Sequence, residues 1–179
     1  MWGLARATRI MAIRIVAALL AAVSLAGCRL DQEERLRAEL AGWLDLRDTL
    51  EFQSRSTCTG AVFLLENTGI SDQVTRATSV DTAIHYLRAG RIVAFELFDT
   101  SPTVVSEQIM TASLEQGLGL LSNGIGPAKR CLSDRAGMVF YAAITSPEAV
   151  MVYDPGGNAL TLVHLLGEVP LAIFLRGNV

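Results

Sequence analysis

The chain has 179 residues, of which 51% are hydrophobic, with 15 basic against 18 acidic residues and a formal charge of −3. No concentrated cationic surface can be built from that balance, so nucleic acid is excluded as an expected partner. The length suits one domain with a substantial core.

The N-terminus has the three parts of an export signal in order. Arg6, Arg9 and Arg14 make a cationic start with no acidic residue, and an uncharged, mostly apolar stretch follows from Ile15 to Gly27. The stretch is short of the roughly 20 apolar residues a bilayer span needs. It closes on Leu25-Ala26-Gly27-Cys28, followed at once by the polar run Arg29-Leu30-Asp31-Gln32-Glu33. A second in-frame methionine, Met11, allows a more compact signal and an alternative start.

Residues 1–28 resemble the lipobox-type signal of bacterial lipoproteins, whose pattern is Leu, two small residues and Cys. The resemblance covers that segment alone, and the globular remainder is not recognised as any family. It implies that the Cys28 sulfur receives a diacylglyceryl group and that residues 1–27 are removed. Two acyl chains, usually joined by a third of the palmitate type, then tether the protein stably to a membrane. It implies a cell-envelope location facing the periplasm, and Arg29 in place of an Asp retention signal leans towards the outer membrane over the inner.

Cleavage leaves a single domain of 152 residues, 28–179, with 12 basic and 18 acidic residues. Once Cys28 is acylated, Cys58 and Cys131 remain, and an even pair in an oxidising compartment is expected as a disulfide. Two free buried thiols or half of a metal site are the alternatives. Neither cysteine lies in a C-x-x-C motif or near a histidine.

Residues 31–52 place Leu36, Leu40, Trp43, Leu44 and Leu50 at spacings of three, four and seven, which predicts one amphipathic helix docked on the domain's own core. Residues 58–66, rich in Val, Phe and Leu, read as a buried strand in which Gly60 permits a close contact. After a loop over 67–79, Ser79 caps a helix that Gly90 ends. Residues 91–98 read as a second strand. Ser101 and Pro102 then open a helix whose apolar side is Val105, Ile109, Leu114, Leu118 and Leu121. The glycines from 117 to 126 read as helix termination, and residues 129–131 as a loop leading to a third strand over 137–145. The turn Asp154-Pro155-Gly156-Gly157-Asn158 joins two strands in a C-terminal hairpin, and 169–175 adds a last strand. The class is α+β: a single domain with an N-terminal helix and a mainly antiparallel sheet.

Chemistry is sparsely signalled. No H-E-x-x-H, P-loop, G-x-S-x-G or G-x-G-x-x-G signature occurs, and no cofactor or metal is expected. His85 and His164 lack a second ligand at metal-site spacing. Asp99 and Ser101 lie where a strand hands over to a helix, and Ser101 reads first as a cap. Ser133, Asp134 and Arg135, beside Lys129 and Arg130, form the one small basic and polar concentration. They read as a solvated loop, with an acidic head group or glycan as the functional alternative. Two functions follow as expectations. The first is a non-enzymatic, lipid-anchored module that binds an envelope protein or supports an assembly. The alternative is a lipid-anchored hydrolase or ligand-binding protein using scattered residues such as Asp99, Ser101, His85 and His164.

Overall fold

A computed structural model describes residues 30–177, so the expectations for the export segment and for Cys28 fall outside the described residues. From Asp31 onward the chain forms one unit. Its seven strands make a single sheet in the order β1-β2-β7-β6-β5-β4-β3. The strands are β1 (Leu46–Arg55), β2 (Cys58–Leu65), β3 (Thr75–Ala77), β4 (Val93–Phe95), β5 (Val150–Asp154), β6 (Ala159–Leu166) and β7 (Val169–Gly177). Only β3 and β4 run parallel.

The helix expected over 31–52 is two elements of different kind. Helix α1 (Glu33–Leu40) buries Leu36 and Leu40, and the chain then turns back through Trp43 and Leu44 into the ten-residue strand β1. Leu46 and Leu50, four residues apart, fit a helical period and a strand period equally well. What decides is β2, whose outer backbone groups need a partner in a buried run. β1 supplies it as an antiparallel neighbour, with a register irregularity around Leu50.

The third strand expected over 137–145 is also corrected. It is helical: α6 (Asp134–Thr145) buries Ala136, Phe140, Ala143 and Ile144, a helical repeat masked by its β-branched and aromatic content. Ser133 caps it, accepting from the Ala136 N–H at 3.2 Å. The strand expected over 91–98 pairs over only three residues, Val93–Phe95.

Among the described residues the other helices are α2 (Val80–Arg88), α3 (Pro102–Ala112), α4 (Leu114–Gly119), a π-helical segment (Leu120–Ile125) and α5 (Ala128–Cys131). Ser79 caps α2 through the Thr82 N–H, whereas the Ser101 hydroxyl makes no such bond at α3, where Pro102 already sets the first turn. The glycine-rich stretch does not end the helical path. It lets that path fold closely on its neighbours: a Cβ on Gly117 would lie 2.5 Å from the Met110 Cα. Because the direction changes at Ser113, Leu114, Leu118 and Leu121 leave the buried side shared by Val105 and Ile109 and face solvent.

Both faces of the sheet are covered. Helices α2 to α6 pack on Val62, Phe95, Met151, Leu160, Leu162, Ile173 and Leu175. On the other face Leu36, Leu40, Leu44, Ile70 and Val74 pack on Phe63, Leu65, Val152, Val163 and Phe174. Burial on two sides explains the unbroken apolar runs of β2, β6 and β7.

The register defines two ends. At one lie Arg55, Cys58, Gly177, Arg176, Ala159, Asp154 and the start of β4; at the other lie Leu65, Leu166, Val169, Val150 and Phe95.

Candidate functional site

At the first end the start of the domain is clamped to the last strand. Arg176 projects from β7 over the Phe174 ring, its guanidinium carbon 5.0 Å from the centroid. It donates to Asp31 Oδ1 at 2.9 Å, to Glu39 Oε1 at 2.5 Å and to the Gly157 carbonyl at 3.0 Å. Burial works against the charge on Arg176, but the hydrogen bonds and charges of Glu39 and Asp31 outweigh it and its pKa moves up. Asp31 Oδ2 is buried without a hydrogen-bond partner, so among the described residues Arg176 is the cation that balances the Asp31 charge.

Cys58 and Cys131 are bonded, with sulfurs 2.02 Å apart, joining the start of β2 to α5. The close contact at Gly60 is with this same helix, since a Cβ there would stand 2.1 Å from the Cys131 carbonyl oxygen. Residues 128–131 are therefore a helical turn pressed on β2, not the expected loop.

The polar concentration around Ser133 is engaged internally. Glu51 on β1 receives the Ser133 N–H at 2.7 Å and also the Ser133 hydroxyl. A carboxylate from the chain itself thus occupies the positive end of α6, where a head group was the alternative expectation.

Helix α6 is flanked by two open depressions. One, of about 350 Å³, is lined by Leu50, Val62, Val139, Leu166 and Val169, with Glu51 and Arg135 among its polar groups. Leu50, Leu166 and Val169 are 56%, 41% and 45% exposed. The other, of about 440 Å³, lies where Ala128 and Leu132 meet Met138 and Tyr141. Met138 and Tyr141 are 68% and 70% exposed. Apolar side chains concentrated at one surface feature mark a site for contact more than a scatter of single residues does.

The histidines and the Asp99 loop are not gathered into a common cleft with hydrogen-bonded partners. His85 lies on α2 in a shallow cleft with Asp81, Ile84, Arg88 and Ala112. Asp99 and Ser101 belong to the exposed turn before α3, where Asp99 adopts a φ of 48° and Phe98 is 97% exposed. His164 is buried on β6, across from Leu171. Among the described residues no hydrogen bond joins any two of His85, Asp99, Ser101 and His164, and no group of three or more His, Cys, Asp or Glu residues could hold a metal ion.

His164 Nδ1 is buried without a partner. Burial pulls its pKa below the ordinary 6.5, outweighing the opposite pull of Glu148. As pH falls, the unfolded chain takes up this proton first. The stability from neutral His164 is complete above about pH 6.5 and is lost progressively as pH falls towards and through the lower folded-state value. Thermal melts of the protein and of His164→Phe at neutral and acidic pH test this. The expected result is a smaller acid-induced fall in Tm for the variant; equal falls count against it.

No protein-family model, curated protein or solved structure matches this chain. No helix among the described residues is long and apolar enough to cross a membrane. Sequence reasoning missed the apolar flanks of α6, because their residues come from β1, β2, α5, α6 and the β6–β7 hairpin. The one local signal was Ser133-Asp134 ahead of apolar residues at helical spacing.

Proposed function

We propose that the protein is a lipid-anchored module of the bacterial cell envelope that binds another protein through helix α6. The anchor half rests on the Leu25-Ala26-Gly27-Cys28 motif behind a cationic and apolar leader. The binding half rests on one observation: α6 runs between two open apolar depressions and carries the exposed Met138 and Tyr141 on its outer side. Such a surface fits a partner that offers apolar side chains on both sides of the helix, with Arg135 supplying a polar contact at one of them. Exposed aromatic and methionine side chains are favoured at contact centres because they cover large area at low ordering cost.

The expected role is assembly or scaffolding near the membrane, on the periplasmic side, without catalysis. A photoactivatable phenylalanine analogue at Tyr141 in the full-length protein, expressed in envelope-intact bacteria, is expected to give a discrete crosslinked protein band. Adding Met138→Glu to the same chain is expected to abolish that band while leaving protein abundance unchanged. A band that survives Met138→Glu, or no band at any level of expression, counts against α6 as the binding surface. The anchor has its own test: Cys28→Ser should remove both fatty-acid labelling and membrane retention, and a labelled, membrane-bound Cys28→Ser product sinks that half.

A further inference from the structure

On the lipid-anchor reading above, the surface of the domain that meets the bilayer is set by where the chain enters the domain. Cys28 and Asp31 are three residues apart, which spans about 10 Å at most. Asp31 is not the start of a loose linker. It is held on Arg176, beside the β5–β6 turn, at a defined end of the sheet. An acyl-bearing Cys28 therefore keeps that end close to the membrane surface.

The same end carries the exposed leucines. The chain from Ser113 to Ile125 sits there, as four independent contacts show. Ser113 Oγ accepts from Arg88 at the end of α2, and Asn123 donates to Asn158 in the β5–β6 turn at 3.1 Å. Gly124 lies against Leu160, and Gly177 at the end of β7 lies against Asn123. On this segment Leu114, Leu118 and Leu121 are 64%, 52% and 37% exposed. Their spacings of four and three put them in one row on a helical path. Exposed leucines in a row have no role in the core already described, and apolar side chains on a helical surface gain free energy when they enter the head-group and acyl boundary of a bilayer.

We infer that Leu114, Leu118 and Leu121 form a membrane-contacting row that seats the anchored domain on the lipid surface, holding α6 and the opposite end of the sheet clear of it for a partner. The occupant is the bilayer itself, because the covalent tether brings it to this end. The Arg88 guanidinium, bonded to Ser113, lies beside the row and suits phosphate head groups, while Glu115 keeps the surface from being purely cationic.

The test uses the mature acylated protein, residues 28–179, reconstituted into phosphatidylethanolamine and phosphatidylglycerol vesicles, with or without a phosphatidylcholine brominated on its acyl chains. Leu118→Trp places a reporter in the row, and Phe98→Trp places one at the 97% exposed Phe98 in the turn before α3, towards the other end of the sheet. The Trp43 signal common to both is subtracted using the unsubstituted protein. The expected result is blue-shifted emission from position 118, quenched several-fold more by the brominated lipid than emission from position 98. Equal quenching at both positions, with the protein floating with the vesicles and acyl mass present on Cys28, overturns the leucine row and leaves the anchor intact. Failure to float, with no acyl mass on Cys28, overturns the anchor and the row with it.

Discussion

Arg176→Ala is expected to destabilise the fold by about 3–5 kcal/mol, the range for removing one partner of a buried ion pair. The side chain of Arg176 is 15% exposed and that of Asp31 22%, so the pair is largely but not fully withdrawn from water and the loss falls at the lower end of that range. Asp31 Oδ2 already lacks a partner, and the substitution leaves Oδ1 and the Gly157 carbonyl without theirs. Glu39 is 42% exposed and contributes less. Arg176→Lys keeps the charge but cannot direct separate N–H groups to Asp31, Glu39 and Gly157, and an intermediate loss is expected. Denaturant melts give the magnitude. Hydrogen exchange gives the location, because loss of the clamp should deprotect the amides of α1 before those of β6 and β7. A variant as stable as the parent, with α1 still protected, would show that packing of Leu36 and Leu40 alone holds the start of the domain.

Removing the disulfide is expected to cost a similar amount. Cys58 and Cys131 are 73 residues apart, and opening a loop of that length returns about 4 kcal/mol of chain entropy to the unfolded state. Both cysteines are fully buried, so Cys58→Ala with Cys131→Ala is a cleaner replacement than serine, whose hydroxyls would need partners. The expected fall in Tm is about 10 °C for a domain of this size. The same loss on reduction of the unsubstituted protein would tie it to the bond. A double variant that melts with the parent would mean that the fit of α5 on Gly60 already fixes this contact. Both losses are large against the roughly 5–15 kcal/mol that holds a typical domain together.

How much could be read beforehand varied with the kind of signal. Segments bounded by strong punctuation were legible: the Ser79 cap and Gly90 bracket α2, and Asp154 to Asn158 separates β5 from β6. Segments whose composition and spacing conflict were not. Val139, Phe140 and Tyr141 favour a strand by type, yet Ala136, Phe140, Ala143 and Ile144 fall on one helical face, and burial on the sheet selects that face. Leu46 and Leu50 satisfy two periods, and only the exposed edge of β2 chooses the strand. The leucines of α4 and the π-helical segment continue the period of α3 in sequence, but the turn at Ser113 takes them out of the core.

The sequence by itself determined features that are local or compositional. A cationic and then apolar N-terminal stretch ending in Leu-Ala-Gly-Cys, a length and apolar content that suit one domain, three cysteines and the absence of local catalytic motifs are all written in contiguous residues or counts. The tertiary structure decided which distant residues meet. It brought Asp31 to Arg176 across 145 positions, set Glu51 on the first turn of α6 across 82, and assembled the flanks of α6 from β1, β2, β6, β7 and α5. The physical reason is that local structure follows from a few neighbouring side chains and backbone preferences. Ion pairs, caps and surface grooves between distant segments depend on the whole chain closing around its core, where burial sets the energy of each contact.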